Sequence, residues 1–293
     1  MNYAPTKWVR VTKRNPCPIC ERPDWCGITA DGTAVRCMRV QSGRPSEAKD
    51  GEMGWIHQVA DPIPVQPRQG RRQAPIATID WEAMLGRWRM DTQPGQYREL
   101  ATRLGVTVGS LIRLGTCYDA ERRAWAFPMK NEWWQVTGIR LRNQQARKWA
   151  VTGSKQGVFW PDMHTAEGPI VLVEGPTDTA AMLDLGYDAF GRPSCSGGAK
   201  LMLEILSRGP IRDVVIVADR DEAKTRPDGS AWYPGQEGAQ ALARSIMCVA
   251  RSVRVIKPLK GKDARAWVQA GATRASVDAV IANAYYWRPA NGR

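Results

Sequence analysis

Three carboxylates stand at the ends of two apolar runs: Glu174 closes IVLVEG, and Asp219 and Asp221 close VVIVADRD. Residues two apart on an extended chain point to the same side, so Asp219 and Asp221 converge. Asp178 follows Glu174 by four residues, where a helix should open, and suits either a further ligand or a helix cap. Like charges within a few ångström repel, so such a cluster calls for a cation. Mg²⁺ or Mn²⁺ accepts oxygen ligands, and Mg²⁺ keeps several waters and shares its shell with substrate phosphates. Two such ions would steady the attacking and leaving oxygens of a phosphoryl transfer. Glu174, Asp219 and Asp221 are therefore the candidate catalytic metal ligands.

A second constellation is sulfur-based. Cys17 and Cys20 share one tight turn in CPIC, Cys26 closes ERPDWC, and Cys37 follows in AVRCMRV. Clustered cysteines in an intracellular chain indicate metal ligation, and tetrahedral Zn²⁺ needs four ligands. The expected set is Cys17, Cys20, Cys26 and Cys37, with His57 as the alternative to Cys26. Arg22, Arg36, Arg39 and Arg44 surround this cluster.

The elements that must hold these groups follow from periodicity. Residues 1–60 are short, Cys-rich and turn-rich, and DPIPVQPRQGRRQAP (61–75) has a linker's composition. Residues 79–115 carry helical spacing. AWAFPMKNEWWQVTGIRLR predicts a hairpin turning near Lys130–Asn131, with VFW at 158–160 closing its sheet. From 169 apolar runs alternate with helical patterns: PIVLVEG, residues 188–190, DVVIVADRD and SVRVIKPL as strands, each followed by a helix. Continuous apolar strands separated by helices predict a parallel sheet covered on both faces. Functional groups then collect beyond the strands' carboxyl ends.

Charge points to the partner. The formal net charge is +13, distributed as +5 over residues 1–75, +5 over 76–165 and +3 over 166–293. A basic folded chain attracts polyanions, of which nucleic acid is the commonest. Arg140 and Arg142 alternate along one strand face, and Lys148 and Lys155 follow. Trp133 and Trp134 are candidates to stack on unpaired bases, although one of an adjacent pair belongs in a core. Lys224, Arg226 and Trp232 lie in an insertion that reads as a variable loop with some capacity to grip phosphate or base. No run reaches the ~18 apolar residues needed to cross a membrane. The N-terminus lacks a signal peptide's apolar core, so an intracellular protein is expected.

VEGPTD followed by VADRD resembles the TOPRIM signature of DnaG-type primases, topoisomerases and some nucleases. CSGGAK (195–200) resembles the turn between that family's acidic motifs. GQEGAQALA (235–243) resembles the glycine-rich helix after Asp-x-Asp in primases. GKDARAWV (261–268) resembles a late primase motif in which Asp263 fits the main acid, while Arg265 stands where a second acid is frequent. LGVTVGSLIRLG, AWAFPMKNEWWQVTGIRLR and KWAVTGSKQGVFWP follow the order of the basic region before TOPRIM, and the Cys segment resembles a primase zinc ribbon.

The resemblance implies an α/β fold: a Rossmann-like TOPRIM sheet with helices on both faces (166–293), preceded by a small α+β basic subdomain (76–165), a linker (61–75) and a zinc-binding domain (1–60). It implies a stand-alone DNA primase from a phage or other mobile element, acting in a prokaryotic cytoplasm or an infected host. Such a protein takes single-stranded DNA template and NTPs, with structural Zn²⁺ and catalytic Mg²⁺ or Mn²⁺. Asp178 and Asp263 join the catalytic acids, and Lys200 and Lys262 join Arg140, Arg142, Lys148 and Lys155 as nucleotide or template ligands. No Gly-x-x-x-x-Gly-Lys-Ser/Thr motif is present, so a replicative helicase or initiator is expected in trans. A TOPRIM nuclease and a catalytically silent nucleic-acid-binding module are the competing expectations.

Overall fold

A computed structural model describes residues 8–47, 53–63, 79–162, 168–226 and 230–288. Most of the expected linker, from residue 64 onward, lies outside the described residues. The chain divides into two compact units, Met1–Ile76 and Ala77–Arg293.

The first unit is an antiparallel sheet of β1 (Trp8–Arg10), β2 (Gly27–Thr29), β3 (Ala34–Cys37), β4 (Pro45–Glu47) and β5 (Met53–Gln58), ordered β1-β2-β3-β5-β4. Strands of three to six residues are too short for period-2 alternation to stand out, which is why the segment looks merely turn-rich. Among the described residues its buried core cluster is Val11, Cys17, Cys26, Ile28, Val35 and Cys37. Three of those six are thiols, so so small a core depends on whatever the thiols bind.

The second unit opens with α1 (Trp81–Asp91), α2 (Pro94–Leu104) and α3 (Val108–Arg113). Asp80 starts α1 by accepting from the Ala83 N–H, Pro94 starts α2, and Thr107 caps α3. Gly105, at φ 64°, ends α2 in a left-handed conformation that costs glycine little. Next come β6 (Cys117–Asp119), β7 (Ala124–Lys130), β8 (Val136–Asn143) and β9 (Lys148–Ala150), an antiparallel sheet in chain order. The β7–β8 turn forms where expected, and Asn131 Oδ1 ties it by accepting from the Trp133 and Gln135 N–H groups at 2.9 and 3.0 Å. Trp133 and Trp134 therefore sit in the turn, not in a strand. Val158 bridges to Lys130 and Phe159 to Gly191, so this segment does not merely close the antiparallel sheet but links it to the next one.

The remaining elements are β10 (Ile170–Glu174), α4 (Pro176–Asp184), β11 (Asp188–Arg192), α5 (Ala199–Arg208), β12 (Asp213–Val217), β13 (Lys224–Thr225), β14 (Ala231–Trp232), α6 (Pro234–Ile246), β15 (Ser252–Ile256), α7 (Ala264–Gln269) and α8 (Arg274–Asn283). β11-β10-β12-β15 form a parallel sheet. Its strands alternate between two cores. Val171, Val173, Val215 and Val217 pack toward α4 and the antiparallel sheet, while Ile170, Leu172, Val214 and Ile216 pack toward α5 and α6. Phe127 and Met129 share the first core with Val171 and Val215, so one apolar body unites both sheets.

Two features depart from the expectation, and a third adds to it. The strand ending in the Asp-x-Asp stops at Val217, leaving Asp219 and Asp221 in coil beyond it. The insertion after Asp221 folds as the β13–β14 hairpin. Trp287 N–H donates to the Val253 carbonyl at 2.7 Å, covering part of the edge strand β15.

Candidate metal and phosphate site

The carboxyl end of the parallel sheet carries a hollow of about 270 Å³. Glu174, Asp178, Asp219, Asp221 and Asp263 line it together with Arg140, Arg142, Lys148, Lys262 and Arg265. Arg140 and Arg142 of β8 and Lys148 of β9 thus share one hollow with the acids at the end of β10 and beyond β12. Lys155 and Lys200 do not reach it. They line a separate hollow with Asn131 and Gln156, and Lys200 pairs with Glu204 at 3.8 Å on an exposed surface.

Each acid is held by its element. Glu174 is the last residue of β10, and Gly175 then turns the chain at φ 85° into α4. Asp178, 6 % exposed in the first turn of α4, accepts from the Arg265 backbone N–H at 2.9 Å. Asp221 Oδ2 accepts from the Gly235 N–H at 2.7 Å, at the start of α6. The Arg220 N–H donates to the Lys262 carbonyl at 2.7 Å, drawing the two acidic segments together. Asp263 caps α7 through the Ala266 N–H at 2.7 Å while lining the hollow, so capping and site roles coincide in it.

Electrostatics mark these groups as crowded. Burial pushes Asp219 up to about 8, and Asp178, Glu174, Asp263 and Asp221 add to the rise. Burial, then Asp263, pushes Asp178 up to about 7. Glu174 is raised by burial, with Arg192 opposing. A divalent cation would remove this conflict by keeping the acids ionised. The carboxylates fit such an ion by donor type. They are set more widely than a single tight cage, since among the described residues only the cysteine cluster brings three or more potential ligand atoms all within 4.8 Å of one another. That spacing suits an ion bound through one or two carboxylates, water and phosphate oxygens.

The sequence gives little notice of Arg192. It is the register partner of Glu174 on the neighbouring strand, is 2 % exposed, and donates to the carbonyls of Cys195 at 2.8 Å and Gly238 at 3.3 Å. It is a fixed internal cation behind the acids, and it ties the Cys195 loop to α6. The only advance signal is an arginine at the end of a buried strand. Arg265 is the other surprise. Its backbone holds Asp178, and its guanidinium donates to Gln269 Oε1 at 3.3 Å and the Leu104 carbonyl at 3.4 Å.

In the first unit, Cys17, Cys20, Cys26 and Cys37 bring their Sγ atoms within 4.8 Å of one another. Zn–S bonds of about 2.3 Å in a tetrahedron set S···S near ~3.8 Å; Cys20–Cys26 measures 3.7 Å and Cys26–Cys37 3.9 Å. The Met38 N–H points at Cys26 Sγ (3.4 Å) and the Val40 N–H at Cys37 Sγ (3.3 Å), the support a thiolate needs. Burial raises Cys17 and Cys26; for Cys20 the Arg22 N–H and the neighbouring thiols outweigh burial and bring it down to about 7. His57 instead meets the Val40 carbonyl at 3.1 Å, so Cys26 and not His57 completes the set. Arg39 closes over the cluster and pairs with Asp24 at 2.6 Å. In the insertion, Arg226 pairs with Glu237 and lies 5.8 Å from the Trp232 ring, so these two brace the hairpin.

No family model and no curated protein matches the sequence. Among solved structures, the chain is similar to the DnaG catalytic core (TM-score 0.52, 14 % identity, covering 70 % of this chain and 79 % of that one). It is similar to a DnaG primase catalytic domain bound to ssDNA (0.52, 13 %, 70 % and 77 %). It is also similar to the zinc-binding and RNA polymerase domains of the Aquifex aeolicus primase (0.51, 12 %, 70 % and 60 %). What is shared at such identities is the fold, a mixed α/β chain with the architecture of DnaG-type primase catalytic cores; this chain also carries a four-cysteine cluster near its N-terminus.

Proposed function

We propose that the chain is a DNA primase that synthesises short RNA primers on single-stranded DNA, with residues 166–293 as its TOPRIM domain and residues 1–60 as its zinc ribbon. One observation carries this assignment: five carboxylates and five cationic side chains line one hollow at the carboxyl end of the parallel sheet, in a chain with the primase-core fold. Acids alone would suit any metal-dependent phosphodiester chemistry. The cations beside them supply what a triphosphate and a template backbone require.

Glu174, Asp219 and Asp221 would hold Mg²⁺ or Mn²⁺, with Asp178 and Asp263 completing the charge around it. When bound, the cation lowers the cost of bringing a hydroxyl nucleophile to a triphosphate and of releasing pyrophosphate. Arg140, Arg142, Lys148 and Lys262 orient the phosphates. The Gly235 N–H fixes Asp221, and the Arg265 N–H fixes Asp178, so neither acid must reorganise when substrate arrives. In the first unit the four cysteines would hold Zn²⁺ as a structural ion. Among the described residues no helix is long and apolar enough to cross a membrane. We place the protein in a prokaryotic or phage-infected cytoplasm, as a primase of a phage or mobile element working with a replicative helicase or initiator.

The test is incubation of the full chain with single-stranded DNA, Mg²⁺ or Mn²⁺ and labelled NTPs. New oligoribonucleotides of a few residues are expected. Shortened DNA without synthesis would replace the assignment with a nuclease, and DNA bound but unchanged would replace it with a silent binding module.

A further inference from the structure

Two segments run from the acidic hollow to the second hollow. Phe159 and Pro193 line the first, while Lys155 and Gln156, from the chain just before Phe159, and Gly198, from the loop after Pro193, line the second. The second hollow has a volume of about 410 Å³, and Lys155 and Lys200 line it together with Asn131, Gln156, Glu132 and Glu204. Beside it the β7–β8 turn displays Trp133, 59 % exposed. That exposure is built. Asn131 accepts from the Trp133 N–H, Trp134 takes a left-handed φ of 66°, and the Trp134 ring packs 4.1 Å from the Trp160 ring. Trp134 is the anchor, and the turn pushes its neighbour outward. The Arg208 guanidinium lies 3.9 Å from the centre of the Trp133 ring.

An indole left open to water on a rigid turn, backed by a guanidinium and flanked by lysines outside the reaction hollow, has the composition of a platform for unpaired bases. We propose that single-stranded template DNA crosses the Pro193–Gly198 loop from the acidic hollow and stacks a base on Trp133, with Lys155 and Lys200 on its phosphates. This rests on the template role proposed above, but it assigns a second contact that chemistry at the acids does not need. It accounts for two lysines that look like nucleotide ligands in the sequence and yet stand away from the acids. Glu204 pairs with Lys200 here, so the aromatic ring, more than net charge, supplies the affinity.

The test measures binding of a fluorescein-labelled oligothymidylate by anisotropy, with the full chain, Mg²⁺ and no NTPs. Trp133→Ala should bind about tenfold more weakly and Trp133→Phe less than threefold, as a base stack predicts. Lys155→Ala/Lys200→Ala should lower the slope of log affinity against log salt by about 1.4, at about 0.7 per phosphate on a single strand. An oligonucleotide carrying 5-iododeoxyuridine should crosslink to Trp133. Trp133 is exposed, so its replacement should leave the melting temperature unchanged, and that control separates lost stacking from lost fold. Wild-type affinity retained within twofold by Trp133→Ala, with no crosslink at position 133, would overturn the platform. Primer synthesis measured alongside keeps the two ideas apart. A wild type that binds DNA through Trp133 but makes no primers supports the platform and refutes the primase. A wild type that makes primers while Trp133→Ala binds normally refutes the platform alone.

Discussion

At the level of single residues, the account turns on buried acids that repel one another until a cation arrives. Asp219 and Asp178 sit well above the ordinary carboxylate range, at about 8 and about 7. A folded-state pKa above the unfolded one means the native state binds the extra proton. Stability without metal should therefore be fully present below about pH 4 for these two groups and be lost as pH rises toward 8. Thermal unfolding in EDTA-free, metal-free buffer between pH 5 and 8 measures that fall. The melting-temperature gain on adding Mg²⁺ should grow over the same range, because only the ionised acids bind it. Asp219→Asn should remove one repelled charge, raise the metal-free melting temperature by about 2–4 °C (roughly 1 kcal/mol in a chain of this size) and shrink the Mg²⁺ response. The acids are legible from sequence because Glu and Asp-x-Asp close apolar runs. Arg192 is not, because nothing in one sequence says which residue on β11 will lie level with Glu174.

At the level of elements, α6 is the part that joins the two halves of the site. A Cβ on Gly238 would meet the Cys195 carbonyl oxygen at 2.2 Å, and that carbonyl also accepts from Arg192. Gly238→Ala should push α6 off the loop at a cost of about 1–3 kcal/mol, displacing Gly235 from Asp221. The expected result is at least a tenfold loss of primer synthesis with zinc content unchanged, read by activity and metal analysis on one preparation. The four parallel strands and the β7–β8 hairpin are legible because buried strands are continuous apolar runs and the hairpin is rich in aromatic and β-branched residues. The five short strands of the first unit escape, since their order depends on the sulfur cluster that gathers them. The end of β12 at Val217 also escapes, because apolar pattern marks burial and not the last ladder bond.

At the level of the whole molecule, the net charge of +13 and the two compact units set distinct expectations. The four-cysteine cluster belongs to the first unit; on the zinc assignment proposed above, about one zinc per chain should be found, Cys26→Ser should lose it, and His57→Ala should keep it. Zinc retained by Cys26→Ser but lost from His57→Ala would reverse the ligand assignment. The fold class follows from the strand–helix alternation, but charge alone never says which cations face the acids. Lys155 and Lys200 look equivalent to Lys148 and Lys262 along the chain, and only the folded chain sorts them into two separate hollows. The most direct check on the central claim, that the acidic hollow is a catalytic metal site for primer synthesis, is the initial rate of labelled NTP incorporation on single-stranded DNA in Mg²⁺, wild type against Asp219→Ala at equal zinc content and melting temperature. The account predicts oligoribonucleotides from the wild type and a loss of at least a hundredfold in the variant, about 2.7 kcal/mol or more of lost transition-state stabilisation. Undiminished synthesis by Asp219→Ala would contradict it.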